Sequence, residues 1–212
     1  MAVFASKINT SSETYLKQRA EMLELVDKLN ELNSRGRAIS EKRKPRFDKR
    51  GQLTPRERLA RLLDPGMPFL EISNLAGYKL DTKDEAKSIP GSTVIAGIGF
   101  ISGVRCAVVV DDSGILAGSM TTAGGYRIRR AQQISLEQKL PFVHLVESAG
   151  GDLMNYTVEG FSAGGDLFGS LAKLSKEGIP VISILHGSST AGGAYMPGLS
   201  DYVIAVKGTG RA

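Results

Sequence analysis

Two short stretches carry almost no side chain where chemistry is plausible: Glu147-Ser148-Ala149-Gly150-Gly151, and GSSTAGGAYMPG from Gly187 to Gly198. Each follows an apolar run that reads as a strand, PFVHLV (141–146) and PVISILH (180–186), and each leads toward a helical segment. A turn from strand to helix points backbone N–H groups into the crevice beyond the strand. Two or three such donors can hold a carbonyl oxygen as it becomes an enolate, and bulky side chains would block its approach. The same composition also makes a sharp corner with no ligand, and the residues alone leave both readings open. A third glycine-rich stretch, DDSGILAGSMTTAGGYRIRR (111–130), ends in Arg127, Arg129 and Arg130. That cationic cluster can pair with phosphate groups or solvate a helix face.

Other chemistries fit less well. GIGFISG (97–103) has Ser102 where a dinucleotide fingerprint needs glycine, and a strand follows it rather than a helix. HGSSTAGG (186–193) has Ala191 where a nucleophile elbow needs glycine, and neither His144 nor His186 comes with a triad carboxylate. His144, inside an apolar strand, reads as a hydrogen-bonded core residue. His186, beside the second glycine turn, is either an orienting residue or a satisfied polar one. One cysteine, Cys106, and two histidines far apart in sequence give no zinc spacing, so no metal is expected. The lone cysteine excludes an internal disulfide framework and fits a reducing compartment.

The net charge is +5, but residues 1–60 hold 14 Lys/Arg against 8 Asp/Glu, concentrated in RGRAISEKRKPRFDKRG (35–51). Phe47 is the sole aromatic in that run, so stacking on nucleic acid bases is not expected. No apolar run approaches the roughly 20 residues of a membrane span. MAVFASKINTSSETYLKQ lacks the apolar core of a signal peptide. A cytoplasmic location is expected, or the mitochondrial matrix in a eukaryote.

The elements that must position these turns are legible from periodicity. Residues 13–34 place Met22, Leu25, Val26, Leu29 and Leu32 on one helical stripe, with Thr10 and Glu13 at capping-box spacing and Gly36 as the stop. The stripe is expected to pack on the domain or on a partner subunit. In LTPRERLARLLDPG (53–66), Thr54 reads as N-cap, Pro55 as N1 and Glu57 as N3, with Asp64-Pro65-Gly66 as the stop. FLEIS (69–73) is a strand and 81–91 a polar loop. TVIAGIGFI and VRCAVVVDD form a hairpin through Ser102-Gly103. Helices are predicted at 126–140, with Ile128, Ala131 and Ile134 on one face, and near 164–176. A short helix enters at TAGGAY, and a strand occupies 202–206. Strands too apolar to alternate, interleaved with helices, indicate an α/β fold with a parallel-rich sheet. Ligands of such sheets gather at strand carboxyl ends, where both glycine turns lie. KGTGRA (207–212) follows a strand with no closing helix, so a truncated or separately encoded piece is expected.

GQLTPRERLARLLDPGMPFLEI (51–72), RRAQQISLEQKLPFVHLVESAGG (129–151) and STAGGAYMPGLSD (189–201) together resemble the carboxyltransferase β subunit of biotin-dependent acyl-CoA carboxylases, the propionyl-, methylcrotonyl- and geranyl-CoA enzymes among them. The likeness runs from about residue 14 onward and corresponds to the N-terminal half of those subunits. It implies a crotonase-like ββα-superhelix, with a helical and basic arm at 1–65 and an incomplete acyl-CoA-binding N-domain at 66–212. It places Ala149, Gly150 and Gly151 as backbone donors of an oxyanion hole, with Ala149 and Gly151 exchanged relative to the family's usual Gly and Ala. By the same likeness Ala191, Gly192, Gly193, Ala194 and Tyr195 line the acyl pocket. Arg127, Arg129, Arg130 and the basic residues of 42–50 become candidates for the CoA phosphates.

The implied reaction moves a carboxyl group from carboxybiotin, carried on a partner protein, to the enolate of an acyl-CoA. It needs no protein base, and no metal in this chain. The implied partners are a biotin carboxylase and carrier subunit, a C-terminal carboxyltransferase domain, and further copies of the chain. No nucleic acid or membrane partner is implied. A biotin-dependent acyl-CoA decarboxylase subunit, or a non-catalytic CoA-binding or assembly fragment, are the alternatives left open.

Overall fold

The structure is a computed structural model that describes residues 5–155 and 157–212. Six strands form one sheet in sequence order, β1 (Leu70–Glu71), β2 (Val94–Ile101), β3 (Val104–Asp111), β4 (Phe142–Val146), β5 (Val181–Leu185) and β6 (Tyr202–Ala205). β1, β2 and β3 pair antiparallel, whereas β3 to β6 run parallel, so the carboxyl ends of β3, β4 and β5 share one edge of the molecule. The β2–β3 hairpin turns at Ser102 and Gly103, both with positive φ, as their sequence predicts. The Asp64 carboxylate accepts from both turn N–H groups at 2.7 Å, which ties the preceding helical segment to the hairpin.

The helices are α1 (Glu13–Glu41), α2 (Lys44–Lys49), α3 (Pro55–Leu62), α4 (Thr122–Gln138), α5 (Val158–Lys176) and α6 (Gly192–Gly198). The capping box of α3 forms as expected: Thr54 Oγ1 accepts from Glu57 N, and Glu57 carboxylate accepts from Thr54 N. The Thr54 N–H, with Lys44 beside it, pulls the Glu57 pKa down to about 2.

Four helix boundaries differ from those predicted. α1 is capped by Ser12, whose extended backbone immediately precedes the helix, and not by Thr10. Gly36 does not stop α1; a Cβ there would sit 3.2 Å from the Pro90 carbonyl, so the missing side chain lets the helix lie against that loop. α4 and α5 begin earlier than 126 and 164, because Thr121 and Thr157 accept from Gly124 and Gly160 N–H and turn glycine-containing segments into first helical turns. β1 is also shorter than 69–73.

Two apolar layers flank the sheet. One joins Ala107, Val109, Phe142 and Val146 to Ile128 and Ala131 of α4 and Leu167, Leu171 and Leu174 of α5. The other joins Ile95, Val108, Val110, Val143 and Leu145 to Leu59 of α3. β4 is buried along its whole length, which explains why its sequence is apolar apart from His144. The expected apolar stripe of α1 does not pack on the domain except at Leu32: Met22 and Leu25 are 59% and 62% exposed. No described helix is long and apolar enough to cross a membrane.

Candidate functional site

Three turns leave the carboxyl ends of β3, β4 and β5 and lock together. The first, Leu116–Gly118, has three successive residues with positive φ, two of them not glycine. Such backbone costs on the order of 1–2 kcal/mol per non-glycine residue and persists only where its surroundings enforce it. The surroundings here are the 147–151 turn: Ala149 N donates to Ala117 O at 3.2 Å, and Ser148 Oγ donates to Gly118 O at 2.8 Å. Met120 and Gly151 then form a parallel bridge, with Met120 N donating to Gly150 O at 2.7 Å. The third turn joins through Thr190 N, which donates to Ser148 O at 3.1 Å.

The glycines of the two predicted site turns do different work. Gly150 sits at φ +84°, and a Cβ on it would lie 2.9 Å from Thr190 O. A Cβ on Gly193 would lie 2.8 Å from Ser148 Cβ. Both are buried and serve the close approach of one turn to the other. Gly151 is exposed, and nothing lies within 4 Å of the place its Cβ would occupy. Among the described residues the Gly151 N–H has no hydrogen-bond acceptor. Of the expected trio of donors, two are engaged within the protein. Ala149 N–H is taken by Ala117 O, and Gly150 N–H by Ser148 Oγ at 3.2 Å, so Gly151 holds the free donor. Ala191, the N-cap of α6, has φ 46° and ψ −120°, a glycine-like conformation adopted by alanine. Ala194 is half-buried and Tyr195 exposed, its ring 5.3 Å from that of Phe168 on α5.

The arginines separate as well. Arg127 is a core residue at 2% exposure and takes no part in a cationic surface cluster. One guanidinium nitrogen donates to Gly91 O and Val94 O, the other to Ile72 O at 2.9 Å and toward the Glu71 carboxylate at 3.5 Å. It clamps the 72–94 segment to α4, and burial pushes its pKa down. Arg129 and Arg130 stay on the outer side: Arg129 donates to Ala163 O at 3.1 Å and lies over the Tyr126 ring, while Arg130 is exposed. Lys44, in the basic 42–50 stretch, is engaged by Asp48 and Glu57 at 2.9 and 3.1 Å. Sequence reasoning cannot separate these residues, because all three arginines lie on one helix and only the packing decides which turns inward.

Behind the turns lies a polar layer. His144 Nε2 meets Asp111 Oδ1 at 3.1 Å, as expected of a hydrogen-bonded core histidine, while its Nδ1 is buried without a partner among the described residues. His186 is fully buried, with its Nδ1 3.5 Å from the Glu147 carboxylate. Burial, with Arg58 and His144 nearby, pushes its pKa down to about 3, so the ring is neutral. Two clefts, one of about 270 Å³ from Pro68 to Leu140 and one of about 370 Å³ between Arg37 and Ala60, are lined by no residue of these turns. The turns themselves form an open shelf.

Residues 46–211 match the model of the carboxyl transferase domain. The chain belongs to the carboxyl transferase domain family. A probable biotin-dependent acyl-coenzyme A carboxylase beta2 subunit of Mycobacterium tuberculosis is 39% identical over 203 residues, covering 95% of this chain and 37% of that protein. The β subunit of geranyl-CoA carboxylase from P. aeruginosa superposes with a TM-score of 0.90 at 46% identity, over 99% of this chain and 39% of that one. Transcarboxylase 12S shares the fold, at a TM-score of 0.69 and 24% identity over 96% of this chain and 38% of its own. This carboxyl transferase domain thus has the crotonase-like α/β architecture implied by its motifs, and it spans a little over a third of the relatives it matches.

Proposed function

We propose that this chain is the acyl-CoA-binding part of a carboxyltransferase that moves a carboxyl group from a biotin carrier to the enolate of an acyl-CoA. The observation that carries the reading is the free, exposed Gly151 N–H at the carboxyl edge of a parallel sheet, in a chain of this family. A thioester carbonyl is the acceptor assigned to it: nothing lies within 4 Å of the place a Gly151 Cβ would occupy, and the bridge to Met120 holds the turn. An N–H preset toward the oxygen on which charge develops stabilises the enolate more than the ground-state carbonyl. Ala149, exposed beside it, lines the same shelf, and Ala191–Tyr195 border the acyl chain.

Arg129 and Arg130 are the basic residues offered to the CoA phosphates. Biotin, held on a partner, supplies the carboxyl group and the proton acceptor. The open shelf acquires its second wall from a C-terminal carboxyltransferase domain of the same or a neighbouring subunit.

The test uses the full-length polypeptide assembled with its biotin carboxylase and carrier partner, ATP and labelled bicarbonate. Geranyl-, 3-methylcrotonyl- and propionyl-CoA are the acceptors. Label fixed into at least one acyl-CoA is the expected result. No fixation with any of the three, in an assembly whose biotin becomes carboxylated, would refute the reading.

A further inference from the structure

The Glu147 side chain is the largest in the 147–151 turn, and it points away from the shelf. Its carboxylate accepts from Ser113 Oγ at 2.8 Å, on the loop after β3. It also faces His186 Nδ1, at the end of β5. Its backbone N–H donates to Asp111 Oδ2 at 3.2 Å. Gly187 lies directly against it: a Cβ at 187 would overlap the Glu147 carboxyl carbon and its oxygen. Gly118 is equally close to the Glu147 carbonyl. All three strand-end loops therefore touch this one residue, whose side chain is nearly buried at 12% exposure. Neither ring nitrogen of His186 has a hydrogen-bond partner among the described residues, so the imidazole fills space beside Glu147 rather than anchoring elsewhere.

We infer that Glu147 is a positioning residue for the acyl-CoA site, a keystone matched to Gly187 and Ser113 that fixes the orientation of the Ala149–Gly151 backbone. The inference rests on the proposed use of that backbone. Glu147 is held by its close fit to Gly187 and by the Ser113 hydroxyl, and the half-buried Arg58 guanidinium attracts its charge. An uncharged isostere keeps the fit and the hydroxyl contact and loses only the attraction to Arg58. Because the aim of a backbone donor matters more to the developing oxyanion than to the bound thioester, loss of the keystone should lower kcat and leave KM nearly unchanged.

The experiment compares Glu147→Ala, Glu147→Gln, Gly187→Ala and Ser113→Ala in the full-length assembly, with the acyl-CoA that the wild type carboxylates. Amide hydrogen exchange of 147–151 is read in parallel. Expected are a kcat loss of about 10- to 100-fold for Glu147→Ala, with KM within about threefold. Gly187→Ala should give the same pattern, since its methyl displaces an intact Glu147. Glu147→Gln should stay within about threefold of wild type, and Ser113→Ala should lose about three- to tenfold in kcat. Exchange at Ala149 and Gly150, whose N–H groups are hydrogen-bonded to Ala117 O and Ser148 Oγ, should quicken in Glu147→Ala while β2 and β3 stay protected.

Wild-type kcat and exchange in Glu147→Ala and Gly187→Ala would overturn the inference, as would a Gln variant as impaired as Ala. Should Glu147→Ala not fold, Ser113→Ala decides: a wild-type kcat there overturns the inference. Should the wild type carboxylate none of the acceptors, the functional proposal fails, and the exchange measurement still tests the keystone.

Discussion

The turns after β4 and β5 look like twins in sequence, each with a glycine pair, yet the structure gives them opposite requirements. In the first, Gly150 occupies a backbone conformation and a contact that no other residue fits, and Gly151 beside it is unconfined. In the second, the demanding conformation belongs to Ala191, which is not glycine, and Gly193 is needed for the room it leaves Ser148. A glycine pair therefore marks two separate needs, close packing at one position and open access at the other. The assignment of each need depends on what the neighbouring turn presents.

The comparison can be broken most forcefully at Gly150. Gly150→Val should destabilise by about 3–5 kcal/mol, combining a strained φ with overlap at Thr190 O. An unchanged thermal midpoint would mean that the two turns are not interlocked.

The layer joining them should show itself through pH. A neutral buried His186, with its pKa lowered from 6.5 to about 3, binds fewer protons folded than unfolded between those values. Its contribution to stability is thus complete above about 6.5 and is lost as pH falls toward 3. In stability-versus-pH curves the wild type should lose about 2 kcal/mol more than His186→Gln between pH 6.5 and 5. Parallel curves would show that the ring already titrates normally.

The sign of the comparison reverses at Ala191, where glycine relieves the backbone: Ala191→Gly should raise stability by about 1 kcal/mol, read as a higher midpoint in denaturant. A loss would show that the methyl is needed for packing. The smallest effect on stability is expected at Gly151. Gly151→Val should stay within about 0.5 kcal/mol of wild type while turnover in the full assembly falls at least about tenfold. Normal turnover would remove Gly151 from the site.

Much of this molecule is legible from short-range pattern. The α3 capping box, the Ser102-Gly103 hairpin and the fully buried β4 involve residues a few positions apart, and all form as the sequence predicts. The errors at helix ends have one cause. Thr121 and Thr157 draw glycines into a first turn, and Gly36 continues a helix, because favourable contacts outweigh a propensity penalty of only about 1 kcal/mol. At the site, the sequence placed the glycine turns at strand carboxyl ends but could not show that the Leu116–Gly118 turn would occupy the Ala149 N–H.

By itself, then, the sequence determined the α/β class, the order of elements, the place of the glycine turns at strand carboxyl ends and, through three separated motifs, the family. Only the tertiary structure decided that Arg127 is a core clamp, that Gly151 and not Ala149 or Gly150 holds the open N–H, and that Glu147 stands where three loops meet. The physical reason is range. Periodicity, caps and turns arise from neighbours within one or two turns of chain, whereas the fate of a backbone donor or a guanidinium is set by partners 30 to 60 residues away, such as Ala117 O for Ala149 N and Ile72 O for Arg127.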